Sequence, residues 1–398
     1  MVVVTTTYPV ASRPDIAIPQ FVSDLCSALS DSYRILVVAP HVAGAPTIER
    51  DGAVIVVRFR YAPAMMETLA YCDGGMLAAV RKRPWRLIWL PIFLCAMALS
   101  TRRLVRRSKA GLVHAHWLFP AALAVRFAGS LQAKRPRTFV TSHGGDLHSL
   151  SRKGFRGVLR WLIHGSTGFA VVSPALAEKC LADSLVDNRP LVIPMGVDLR
   201  NTFAPRAAIT RNRHTLLFVG RLVRKKGMQV LLEALAKLNR RPGGLRLRVI
   251  GDGPERSMLE QRAKSLGVSD FVDFLGWQPK QKLPEAFASA TAAIVPSTSG
   301  DFGDREGLGL VAIEAMGCQC PVIVADYAEI RQLIRNGENG FLFREGDAGD
   351  LALVIDQVLS AQPQQLVQIG TAARASVLHQ FDWSEIAASH KAWFEAGS

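Results

Sequence analysis

The stretch Gly303-Asp304-Arg305-Glu306-Gly307-Leu308-Gly309-Leu310-Val311-Ala312-Ile313-Glu314 joins three glycines, an apolar run and two glutamates eight positions apart. Glycine has no Cβ, so backbone N–H groups there can approach a ligand closely. From Gly309 onward, Leu310, Val311, Ile313 and Met316 predict a helix packed on a core, with its N-terminus at the glycines. A helix N-terminus offers free N–H donors and a positive dipole end, which suits a phosphate. Eight residues of helix span roughly 12 Å. That is about the length of a nucleoside diphosphate sugar, so Glu306 and Glu314 could hold its two ends. The plainer alternative is a loop and a core helix with Glu306 solvated, since short motifs also match by chance.

A nucleotide sugar leaves a diphosphate behind, and that growing negative charge needs a partner. A metal would call for paired acids of the Asp-x-Asp kind, and Asp301-Phe302-Gly303-Asp304 has the wrong spacing. Fixed cations with helix-end N–H groups are the other solution. Arg221 and Lys226, in Phe218-Val219-Gly220-Arg221-Leu222-Val223-Arg224-Lys225-Lys226-Gly227, fit it, because both follow a strand at its carboxyl end. A solvated basic turn is the competing reading. His143, in Thr141-Ser142-His143-Gly144-Gly145-Asp146, directly follows another strand, and the two glycines let the backbone approach a ligand. Asp252, in Gly251-Asp252-Gly253-Pro254, either serves a base pocket or makes a plain turn. His114 and His116 are expected to face opposite ways on their strand, which speaks against a metal pair.

These residues need a scaffold. The chain has 398 residues, a natural length for two domains. Its 49% hydrophobic content is ample for two cores. Six scattered cysteines do not make a disulfide framework, and Cys318-Gln319-Cys320 lacks the second pair a zinc site would use. Strands are predicted at Met1–Thr7, Ile35–Ala39, Val54–Phe59, Leu112–Ala115, Phe139–Thr141, Phe169–Val172 and Leu191–Ile193, with Phe21–Leu29 as the first helix. The second half repeats the grammar at Leu216–Val219, Leu245–Ile250, Val272–Phe274, Ala293–Val295, Val322–Val324 and Phe341–Phe343. Strand–helix alternation implies parallel sheets covered on both faces. Ligands bind beyond the carboxyl ends of such strands, which puts the active site in a cleft between two facing domains. The polar, turn-rich segment from Gly196 to Arg213 reads as the linker. Met1–Thr7 has no basic flank or cleavage site and is not a signal peptide; the sequence starts abruptly inside this strand.

Charge is unevenly placed. The formal net charge is +15, and residues 1–200 hold 25 Lys and Arg against 12 Asp and Glu, whereas residues 201–398 hold 23 against 21. The first half therefore points to an anionic partner. Within it, the apolar run Leu87–Leu99 lies between Arg81-Lys82-Arg83-Pro84-Trp85-Arg86 and Arg102-Arg103-Leu104-Val105-Arg106-Arg107. Thirteen residues are too few to span a bilayer, which needs about 20. The segment is either a buried helix or an interfacial one with cations on anionic lipid.

The three motifs, in this order, resemble the retaining glycosyltransferases of family 4, and the resemblance covers nearly the whole chain. It implies an α/β GT-B fold: two Rossmann-like domains with parallel sheets facing a central cleft. Residues 1–196 would bind acceptor and 197–380 nucleotide sugar, and 381–398 would form a terminal helix crossing back. It implies that Arg221 and Lys226 bind the donor diphosphate, Glu306 the donor-sugar hydroxyls and Glu314 the ribose. Gly307, Leu308 and Gly309 would offer backbone N–H groups, and His143 would stabilise the transition state beside the transferred sugar. The expected reaction is metal-independent, retaining transfer of a hexose from a UDP- or GDP-sugar to a lipid-linked or cell-envelope glycan acceptor. No cofactor is expected beyond the nucleotide-sugar co-substrate. The expected place is the cytoplasmic membrane face, on an anionic surface. Two departures stand out: the loop Tyr8–Pro19 has no glycine, and Asp326-Tyr327-Ala328-Glu329 replaces a Gly-Gly pair. A nucleotide-sugar epimerase is disfavoured by Glu306 and Glu314 with Arg221 and Lys226. A nucleic-acid binder is disfavoured because the basic clusters flank an apolar run without interleaved stacking aromatics.

Overall fold

Apolar, β-branched runs buried on both faces make parallel strands, and both halves of the chain are built on them. The structure is a computed structural model describing residues 1–12, 18–71, 76, 79–80, 83–130, 135–150, 154–238, 245–298 and 309–397. It divides into one unit of Met1–Gly196 with Ile386–Ser398 and a second of Val197–Glu385.

The first unit contains β1 (Val2–Val4), α1 (Phe21–Leu29), β2 (Leu36–Pro40), β3 (Ile48–Asp51), β4 (Val54–Phe59), α2 (Trp89–Ser108), β5 (Leu112–His116), α3 (Leu123–Ser130), β6 (Arg137–Ser142), α4 (Gly145–Leu150), α5 (Arg156–His164), β7 (Gly168–Val171), α6 (Pro174–Ala182) and β8 (Leu191–Val192). Its sheet runs β3-β4-β2-β1-β5-β6-β7-β8. Val2 and Val4 point into the core shared with α2, α3 and α5. The opposite face packs the last helix of the chain, Trp383–Ala396, through Phe394 against Phe139 at 4.9 Å. The parallel order has one exception: β3 pairs antiparallel with β4. Ile48-Glu49-Arg50-Asp51 is polar and mostly exposed, so no strand pattern marks it. It is held by buried Arg58 of β4, which binds Glu49, the carbonyls of Pro9 and Pro40, and the Tyr71 hydroxyl.

The second unit contains β9 (Thr215–Val219), α7 (Met228–Leu238), β10 (Arg246–Ile250), α8 (Arg256–Ser265), β11 (Val272–Gly276), α9 (Leu283–Ser289), β12 (Ala292–Val295), α10 (Leu310–Gly317), β13 (Val322–Asp326), β14 (Phe341–Arg344), α11 (Ala348–Ser360) and α12 (Pro363–Phe381); Trp383–Ala396 is α13. The sheet runs β11-β10-β9-β12-β13-β14, and its paired strands are parallel. The segment read as a linker is partly core. Val197, Leu199 and Phe203 are buried, and Arg374 donates to the carbonyls of Phe203 (3.3 Å) and Gly317 (2.6 Å). Burying such apolar side chains contributes roughly 1.5–3 kcal/mol each, which fixes this stretch to the second unit.

Helix α2 is longer than its apolar run suggests. It continues through the second arginine cluster, and a 3₁₀ turn at Pro84–Ile88 leads into it. Pro91 is tolerated because the first turn has no N–H bond to lose. One row at every fourth position, Phe93, Met97, Thr101 and Val105, is buried. The other side is exposed and apolar, with Ile88 70%, Leu87 49%, Ile92 48% and Leu99 45% accessible. Among the described residues, Pro84–Ser108 is the one helix long and apolar enough to cross a membrane by length and composition, yet only 22% of its apolar window is buried. A buried-helix reading of Leu87–Leu99 is therefore wrong for most of its surface.

Candidate active site

In the second unit, β9 is flanked by β10 and β12, so its carboxyl end is crowded by the loops of both. The loop Gly220–Gly227 is laced to them backbone to backbone. Leu222 N–H donates to Asp252 O (3.0 Å), Gly220 N–H to Ile250 O (3.0 Å) and Thr298 N–H to Lys225 O (2.9 Å). Glycine is required at Gly227, where φ is +67° and a Cβ would lie 1.7 Å from Pro296 O. The loop is thus a fixed scaffold. Arg221 on it is exposed and Lys226 half-buried, with Lys226 folded back so that its Cδ lies 3.8 Å from where a Gly220 Cβ would be. Both cations are presented at the carboxyl end of the central strand, where a diphosphate would find fixed charge.

Helix α10 follows β12 at the same edge. Its N-cap is Gly309 at φ +64°, and Glu314 lies half-buried in its middle. Glu306, Gly307 and Leu308 lie outside the described residues. Asp252 is a turn residue: its carboxylate accepts from Gly253 N–H (2.7 Å) and pairs with Arg256 (3.0 Å). In the departing segment after β13, Asp326 is held bidentately by Arg331 at 2.6 and 2.8 Å, and that bonding keeps its carboxyl below the ordinary range.

In the first unit, His143 follows β6 and is partly accessible. Its Nε2 lies 2.9 Å from Nδ1 of His116, the last residue of the neighbouring strand β5. His114 and His116 do not face opposite ways. Residues two apart on a strand share a face, and their rings are 4.3 Å apart, with His390 of α13 5.6 Å from His114. Burial drives all four imidazoles towards the neutral form. His143 is pushed down to about 3 and His390 to about 4, and His114 and His116 fall well below the usual range. Among the described residues no three His, Cys, Asp or Glu are placed to hold a metal ion.

Sequence reading missed the support of this loop. Asp146 is buried, and its carboxylate accepts from Ser142 Oγ (2.5 Å), Leu118 N–H (2.6 Å) and Leu147 N–H (3.0 Å). It ties the His143 turn to the β5–α3 connection. Burial raises its carboxyl, against the pull of those bonds. The signal was a lone acid after Gly144-Gly145, at the start of α4, where an acid is favoured.

Two α/β units, each built on a largely parallel sheet, make the GT-B architecture, and the solved structures given below share it. The family described as Glycosyltransferase Family 4 matches residues 18–201, and Glycosyl transferases group 1 matches residues 200–376. The chain is 30% identical over 352 residues to the D-inositol 3-phosphate glycosyltransferase of Frankia alni, covering 80% of this chain and 82% of that one. Among solved structures, sucrose-phosphate synthase from Thermosynechococcus elongatus aligns with a TM-score of 0.76 at 21% identity, over 99% of this chain and 98% of that one. Anabaena HepE in complex with UDP-glucose aligns at 0.68 and 20% identity, over 99% of each. The chain belongs to family 4 of the glycosyltransferases.

Proposed function

We propose that this glycosyltransferase is a metal-independent, retaining hexosyltransferase that uses a UDP- or GDP-sugar and a lipid-linked or envelope glycan acceptor. The observation that carries the reading is the rigid Gly220–Gly227 loop, which presents Arg221 and Lys226 at the carboxyl end of β9. Together with the α10 N-terminus they supply the charge stabilisation that a metal provides elsewhere. Front-face departure and attack, with the leaving phosphate as base, needs no catalytic carboxylate; His143 assists beside the sugar, and Glu306 and Glu314 hold the donor hydroxyls. The UDP-glucose of the Anabaena neighbour is a donor of this class. The inositol phosphate in the name of the Frankia relative supports a polar, phosphate-bearing acceptor head. Acceptor-dependent release of nucleoside diphosphate tests the reading.

We place the reaction at the cytoplasmic membrane face. The exposed apolar side of α2 supplies insertion energy, and each Lys or Arg near an anionic surface adds about 1 kcal/mol. Anionic liposomes should therefore retain the protein, neutral ones much less, and salt should narrow the gap by screening. Replacing Arg102, Arg103, Arg106 and Arg107 with Gln should lower partitioning and leave donor binding by the second unit intact. Co-sedimentation of both proteins with both lipids decides; equal partitioning throughout contradicts the placement.

A further inference from the structure

We propose that His116 is a positioning residue for His143 and that the two imidazoles work as one unit sharing a proton. The proposal rests on the reading of His143 as the ligand-facing group of the first unit. The Nδ1–Nε2 separation is 2.9 Å, and the rings lie 5.2 Å apart with planes 22° from parallel. Between two neutral imidazoles, such a bond needs one N–H and one lone pair. If His116 Nδ1–H donates, His143 carries its proton on Nδ1. If His143 Nε2–H donates, His116 carries its proton on Nε2 and His143 Nδ1 is a lone pair. Both rings are therefore protonated on δ or both on ε. A mixed pair would oppose two protons or two lone pairs.

The outer nitrogens, His143 Nδ1 and His116 Nε2, are buried without a hydrogen-bond partner among the described residues. A buried, unsatisfied polar atom is costly, so the bond between the two rings sets which nitrogens carry the protons. His143 Nδ1 can donate or accept, because His116 complements either state.

Backbone strain supports the assignment independently. Trp117 adopts φ +73° and ψ 142°, a region that is costly for a bulky residue and persists where the surroundings enforce it. Trp117 N–H donates to Thr141 O (2.8 Å), and Asp146 holds the next N–H. The result is an indole 4.8 Å from His143, with Phe21 also 4.6 Å from it. These rings fix the imidazole plane.

Three substitutions separate positioning from packing. His116→Asn keeps a hydrogen-bonding atom near the Nδ1 position, His116→Gln moves it to the Nε2 position, and His116→Leu removes it. Imidazole ¹⁵N correlation spectra of the wild-type protein at neutral pH should show both rings in the same tautomer, with nitrogen–nitrogen coupling across the bond. Opposite tautomers or absent coupling overturn the proposal whatever the activity. In the transfer assay, His116→Asn should keep kcat within about threefold. His116→Gln and His116→Leu should lower it by about 10²-fold at unchanged donor KM, the cost of a misplaced group. Adding His116→Leu to His143→Ala should cost nothing more. Equal losses in all three variants, or an additive double variant, overturn the positioning role. If no nucleotide sugar supports transfer, the function is wrong and the spectra alone still decide whether the pair is coupled.

Discussion

Arg221→Ala and Lys226→Ala should each lower glycosyl transfer by about 10²-fold or more, the scale set by removing one fixed charge donor from a developing anion. The loop's backbone has its own support. Its shape is set by backbone bonds from Leu222, Gly220 and Thr298 and by Gly227 packed on Pro296, none of which involves the two cationic heads. Because those backbone bonds remain, the loop should keep its fold while kcat/KM collapses. Arg221→Lys should rescue only part of the loss, because an ammonium lacks the planar fork that matches two phosphate oxygens. Arg224→Ala, an exposed neighbour in the same basic run, should change turnover no more than about twofold. Steady-state kinetics on the four variants check this; near-native turnover in both Arg221→Ala and Lys226→Ala contradicts the diphosphate assignment.

The first unit should be acid-labile between about pH 6.5 and pH 4. An unfolded histidine titrates near 6.5. In the folded chain burial holds His143 down to about 3, His390 to about 4, and His114 and His116 well below the usual value. Above pH 6.5 both states are neutral there and nothing is gained or lost. Below it the unfolded chain binds protons that the folded chain refuses, so stability falls as pH falls. Each histidine that stays neutral in the folded chain adds on the order of 1 kcal/mol per pH unit to that loss, and the four act in the same direction. Urea midpoints measured from pH 7.5 to 4.5 check this, and His390→Phe, which removes one of the four, should flatten the slope. A midpoint that does not move with pH in this window contradicts neutral burial of the cluster.

Much of this was legible in the sequence because it depends on local pattern. Strand–helix alternation gives the two parallel sheets, and Gly227 marks a turn that only glycine can make. What escaped was set by tertiary context. The polar strand β3 exists because buried Arg58 binds Glu49 across the ladder. Phe203, in a segment read as linker, is buried because Gly317 lets α10 come close; a Cβ there would lie 2.8 Å from Phe203 O. The histidine cluster escaped through a wrong strand geometry for His114 and His116, and because His390 lies far along the chain. The resemblance named Arg221, Lys226, Gly309, Glu314 and His143, but not the groups that hold them.

Acceptor-coupled transfer from a nucleotide sugar without a metal should show itself as nucleoside diphosphate release in excess EDTA. UDP- and GDP-sugars are each incubated with and without membrane lipid extract or inositol phosphate as acceptor. Release is expected from one donor, dependent on acceptor, undiminished by EDTA, and stoichiometric with a product whose new bond keeps the donor's anomeric configuration. Release that requires Mg²⁺ or Mn²⁺, release indifferent to acceptor, or no release from any donor would contradict it.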